Sequence, residues 1–80
     1  MIINYKHDKE ADAIYMQLTK EKIGVSRELD EDRVLDIGLF SGEPVGIELL
    51  NVSGGVRVDY LPCKQDVKKL LIDNGIKINE

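Results

Sequence analysis

Tryptophan is absent from these eighty residues, and there are only one phenylalanine, one cysteine and two prolines. With three tyrosines as the other aromatics, the core must be filled by isoleucine, leucine and valine. The lone Cys63 excludes an internal disulfide, and the start of the chain lacks the basic and apolar regions of a signal peptide. No apolar stretch approaches the ~20 residues that span a bilayer, so no membrane role is expected and the cytoplasm is the expected compartment. Basic residues are not in excess: 11 Lys and Arg face 15 Asp and Glu, for a net charge of −4. Without a basic patch, a nucleic-acid partner is disfavoured.

A hydrophobic content of 42% and a charged content of 32% fit a globular chain and argue against disorder. The length allows one domain, residues 1–80, which buries only ~60% of the surface that its unfolded form exposes.

Up to about Asn51, apolar residues recur with period two, the spacing that places alternate side chains on one face of a sheet. Five strands are predicted: 2–6, 13–18, 25–30, 33–40 and 45–50. Their core sides carry Ile14, Met16 and Leu18, then Val25 and Leu29, then Leu35, Ile37 and Leu39, then Val45, Ile47 and Leu49. Short polar connections at Asp30–Asp32 and Ser41–Pro44 suit antiparallel neighbours, and a meander is the economical order.

After the break Ser53-Gly54-Gly55, Val56–Leu61 reads as extended or irregular, and the period then becomes helical over about 63–74. Val67, Leu70 and Leu71 share a stripe that Cys63 extends, and Gly75 is placed to cap the end with Ile76 folded back over it. The expected fold is α+β, a five-stranded antiparallel meander (strands about 2–50) covered by one C-terminal helix.

Candidate chemistry concentrates in the turn that holds Asp8, Glu10 and Asp12 beside His7. Carboxylates at alternating positions suit a divalent cation, but counting on from Asp8 puts Ala13 and Thr19 where a calcium loop needs glycine and glutamate. A structural turn, with Asp8 accepting backbone N–H bonds, is the preferred reading. One His and one Cys cannot close a zinc site, and a His7–Cys63 base and nucleophile pair has no third orienting group. Asp36 and Glu48 fall on adjacent strands opposite the core, an ordinary place for two acids on a solvated face. Gly54-Gly55 is too short to cradle phosphate, so no cofactor and no catalytic residue is assigned. Tyr5, Tyr15, Phe40 and Leu50 fall on the strand faces opposite the core and are candidate interface residues of a homo-oligomer.

Two segments carry a family likeness. Tyr5-Lys-His-Asp-Lys-Glu-Ala-Asp-Ala-Ile-Tyr15-Met-Gln-Leu18 resembles the opening Tyr-Asp-x-Glu-x-Asp-x-x-Tyr-Ile-x-Leu of the YtmB-like short prokaryotic proteins, a domain of unknown function. Val45-Gly46-Ile47-Glu48-Leu49-Leu50-Asn51-Val52-Ser53 is similar to the second motif of that family, Val-x-Gly-Ile-Glu-Ile-Leu-x-x-Ser. The chain departs from the pattern at Lys6-His7 and at Asp36–Phe40, which weakens any transfer of a metal site. The resemblance implies a fold and a bacterial setting rather than a reaction. Some members are encoded beside small toxin-like proteins, which for them implies an antitoxin role. The expected function is therefore a non-catalytic, self-associating interaction domain. An antitoxin-like protein that binds a small basic partner is the alternative, and a divalent-metal enzyme using the acidic turn is the third reading.

Overall fold

The computed structural model describes residues 1–79. Five strands, β1 (Asn4–Asp8), β2 (Ala13–Gln17), β3 (Ile23–Asp30), β4 (Arg33–Gly38) and β5 (Pro44–Leu50), form one antiparallel sheet. A short 3-10 turn at Val52–Gly54 leads to β6 (Val56–Arg57), and α1 (Lys64–Asp73) follows. A last strand, β7 (Ile78–Asn79), pairs in parallel with β6. The α+β fold of five antiparallel strands and one C-terminal helix is as the sequence predicts.

The strand order is not that of the expected meander. It runs β1-β2-β5-β4-β3, with β5 between β2 and β4. The reason lies in the core-side residues. On β2, β5 and β4 these include Ile14 and Met16, Ile47 and Leu49, and Leu35 and Ile37, all at most 8% exposed. In contrast, β3 places Arg27 between Val25 and Leu29, and Arg27 lies opposite Leu35. A strand with a charge in the middle of its core side is best left at the edge, where a long side chain reaches water.

The core is one cluster shared by sheet and helix: Ile14, Met16, Leu35, Ile37, Ile47, Leu49, Val52, Val56, Val58, Leu61, Val67 and Leu71. Val56–Leu61, expected to be extended or irregular, supplies three of these residues and so forms part of the covering layer with α1. The helix ends as its sequence predicts. Gly75 takes a positive φ of 77°, its N–H donates to the Ile72 carbonyl (3.0 Å), and the Ile76 N–H donates to that of Leu71 (2.9 Å). This is the Schellman arrangement, which only a residue tolerant of left-handed backbone closes cheaply.

Four placements differ from expectation. Cys63 does not extend the buried stripe; it is exposed at the N-cap with φ 52°. Val25 and Leu39, assigned to the core, are 57% and 55% exposed. The sheet is five strands wide, about 19 Å at the usual strand spacing, while a helix covers about 10 Å. Its β3 margin is left bare. Finally, Tyr5 lies opposite Met16 on the core side and packs against the core cluster, not on the outer face.

Arg33 fastens the covering segment to the sheet. It is 5% exposed on the core side of β4. Its Nε and one terminal nitrogen donate to Asp30 Oδ2 at 2.9 Å each, and the other terminal nitrogen donates to the carbonyls of Arg57 (3.0 Å) and Asp59 (2.6 Å).

Leu71 is fully buried where helix and sheet share the core. Leu71→Ala is expected to cost about 2–5 kcal/mol, enough to unfold much of so small a domain, as read by urea titration. An unchanged midpoint would show that α1 is not docked on the sheet.

Candidate functional site

The acidic turn is a structural joint. Asp8 Oδ1 accepts the Ala11 N–H (3.1 Å), the local turn bond foreseen for it. Asp12 adopts left-handed backbone (φ 54°) and turns its carboxylate across to the end of β5. There Oδ1 accepts the Ser53 N–H (3.0 Å), Oδ2 accepts the Ser53 hydroxyl (2.7 Å), and the Asp12 carbonyl accepts the Val52 N–H (3.1 Å). Glu10 is exposed on the turn. Among the described residues, no three His, Cys, Asp or Glu side chains converge as a metal site would require. His7 is half-buried opposite Ile14, while Cys63 Sγ lies 3.6 Å from the Met1 amino group.

The outer face carries a polar cluster instead. Register places Tyr15 opposite Glu48, and Gly46 and Ser26 on either side of Asp36. Asp36 is 3% exposed, and its Oδ1 accepts the Ser26 hydroxyl at 2.7 Å. The Tyr15 ring lies over Gly46, where any Cβ would overlap its hydroxyl. Glu48 titrates above the usual carboxyl range, first because it is partly buried and then because Asp36 hydrogen-bonds and repels it. Burial, and then Asp36 and Glu48, likewise raise the Tyr15 phenol. Among the described residues, no ion pair brings a cation to Asp36 or Glu48.

The four aromatic and apolar interface candidates do not form one patch. Tyr5 is on the core side, its hydroxyl buried without a hydrogen-bond partner among the described residues, and Tyr15 is committed to the polar cluster. Phe40 sits in the β4–β5 turn, while Leu50 is at the other end of β5, where its N–H donates to the Asp32 carbonyl. Six strand residues, about 20 Å, separate the two.

A different apolar corner exists. Ile23 and Val25, at the start of β3, pair with Gly38 and Ile37. The Leu39 N–H donates to the Lys22 carbonyl, and Leu39 backbone would block a Cβ at Gly24. Ile23, Val25, Leu39 and Phe40 are 50%, 57%, 55% and 82% exposed. Glu21, in the β2–β3 connection, ties the corner together by accepting the N–H groups of Phe40 (2.7 Å) and Ser41 (2.8 Å). Those bonds, from the Ser41 backbone and hydroxyl and then from the Phe40 backbone, hold the Glu21 carboxyl below its ordinary value. Sequence reading missed Glu21, which lies outside every strand.

A family model for proteins of unknown function, DUF2283, matches residues 4–53. The chain belongs to this family. The DUF2283 segment contains the whole five-stranded sheet and ends at Ser53, the residue that Asp12 holds. Both ends of that clamp, and Tyr15, Asp36, Gly46 and Glu48, therefore lie inside the DUF2283 segment, while the Val56–Leu61 segment and α1 lie beyond it. No curated protein and no solved structure matches the chain.

The weakened acidity of Glu48 gives stability a definite pH dependence. Between the ordinary value of 4.5 and the higher folded value, the folded state holds more protons than the unfolded state, so this contribution to stability falls as pH rises. Glu48→Gln is expected to be more stable than the parent chain at about pH 7, and the difference should shrink towards about pH 3.5. A pH-independent difference in thermal unfolding would contradict the upward shift of Glu48 that burial and then Asp36 produce.

Proposed function

We propose that this DUF2283 chain is a non-catalytic protein-interaction domain that docks its partner at the corner formed by Ile23, Val25, Leu39 and Phe40. The observation that carries the reading is that four large apolar residues, each at least half exposed, gather at one corner of the sheet on backbone held by Glu21. Single exposed hydrophobics, such as Tyr60 and Ile72 here, are ordinary, whereas four at one corner of a fold point to a contact surface. The groups best suited to chemistry are otherwise engaged. Asp12 is bound to Ser53, and Arg33, on a cleft of about 450 Å³ at the sheet end, is saturated by Asp30 and backbone carbonyls. The exposed free thiol of Cys63 suits a reducing compartment such as the cytoplasm. The narrower YtmB likeness rests on the same two motifs, both within the matched segment.

A second reading, antitoxin-like capture of a small basic protein, is favoured by one feature. Asp36 and Glu48 are neighbouring carboxyls on the outer face with no ion-paired cation among the described residues, and an arriving lysine or arginine would relieve their mutual repulsion.

The readings separate by photo-crosslinking in the producing cell. With a photoreactive phenylalanine analogue in place of Phe40, the docking reading predicts a discrete protein adduct that Leu39→Asp abolishes without lowering the melting temperature. An analogue at the exposed Glu10 should give none. Adduct formation lost in Glu48→Gln but retained in Leu39→Asp would favour the antitoxin-like reading, and no adduct at position 40 would overturn the docking reading.

A further inference from the structure

We propose that the occupant of this corner is a second copy of the chain, joined by antiparallel pairing of β3 with the partner's β3 about a two-fold axis at Ser26. The proposal rests on the docking reading and adds the partner and the register. An edge strand presents unpaired backbone donors and acceptors, and β3 is an edge eight residues long, exposed from Ile23 to Glu28. The other edge, β1, has only five residues, and its exposed positions are the polar Asn4, Lys6 and Asp8. Two of the four corner residues, Ile23 and Val25, belong to β3 itself.

Charge and regularity select the register. A two-fold axis normal to the sheet keeps core sides together, so facing residues must share parity. The regular part of β3 runs from Val25 to Glu28, between irregularities at Ile23/Val25 and Glu28/Asp30. An axis at Arg27 would oppose two arginines, and one at Glu28 would oppose two glutamates, which is destabilising for directly facing strands. An axis at Val25 would pair the irregular Gly24 with Ser26. The axis at Ser26 opposes no like charges and moves Gly24 out to the end of the pairing, opposite the partner's Glu28, while each Val25 faces the partner's Arg27 across the join. The apolar stem of Arg27 covers valine while its guanidinium stays wet. Although the chain carries −4, Arg27 and Glu28 cancel within Val25–Leu29, so self-pairing there meets little repulsion.

The test is a charge series at an exposed position, which should leave the fold intact. In sedimentation equilibrium the parent chain is expected to dimerise with rising concentration. Val25→Lys, set against the partner's Arg27, should weaken association about tenfold, whereas Val25→Glu should associate more tightly than Val25→Lys and lose that advantage in high salt. In a Cys63→Ser background, Ser26→Cys should form a reducible covalent dimer under mild oxidation, and Arg27→Cys and Glu28→Cys much less. Amides of Val25–Leu29 should exchange more slowly at high concentration. A parent chain monomeric at millimolar concentration, equal effects of lysine and glutamate at position 25, or a dimer with unchanged β3 exchange would each overturn the pairing. If a monomeric chain still gave a Phe40 adduct to a different protein, self-pairing would fall while docking at the corner stood; with neither dimer nor adduct, both would fall.

Discussion

Arg33 sits on the core side of β4 among aliphatic side chains, and its guanidinium spans from Asp30, at the end of β3, to the main chain of Arg57 and Asp59. Removing a guanidinium from water costs several kcal/mol unless each donor meets an acceptor, and here charged and backbone oxygens supply them. The consequence is geometric. Carbonyls of Arg57 and Asp59 are drawn onto the sheet, and Val56, Val58 and Leu61, which flank them in sequence, enter the core. The chain then reaches α1 already pressed against the sheet, with Val67 and Leu71 completing the layer. Asp30 titrates below its ordinary value: burial opposes this, but the Asp32 N–H and the Arg33 hydrogen bond and charge outweigh it.

Further ties close both ends of the sheet. At the Arg33 end, the Asp12–Ser53 clamp joins the β1–β2 turn to the exit of β5, and Asn51 donates to Asp32 Oδ1 at 2.7 Å. At the opposite end, Glu21 binds the β4–β5 turn to the connection that carries the chain from β2 across to β3. That crossing lets β5 lie between β2 and β4, where its apolar core side is covered best. The covering layer is then too narrow for five strands. What it leaves bare is the start of β3 and the adjoining turn, so the proposed contact surface follows from the same economy of material that built the core.

Period-two alternation was enough to read five antiparallel strands, and the Leu70–Leu71–Gly75–Ile76 run was enough to read the helix and its Schellman end. Strand order was less legible because short polar connections suit a meander equally well; the clue was Arg27 in the middle of the core side of β3. Arg33 left a similar clue, since its parity with Leu35 and Ile37 places it inward. The acidic turn was readable at Asp8, whose partner is three residues away, but not at Asp12, whose partner Ser53 is 41 residues away. Alternation also misled at Tyr5, because Ile2 precedes β1 and packs on the core from outside the strand, so parity counted from it does not carry to Tyr5, which also faces inward.

Arg33 is the tie between sheet and covering layer, and native-state hydrogen exchange on Arg33→Met tests that role most directly. Methionine keeps much of the buried stem but leaves Asp30 and two carbonyls without their donor, a loss of about 3–5 kcal/mol by analogy with broken buried pairs. The predicted result is that amides of Val56, Leu61 and Val67 lose protection first and most, while those of Met16 and Ile47 in the central strands lose less. Equal protection of Val56–Val67 in the variant and the parent chain would contradict the account.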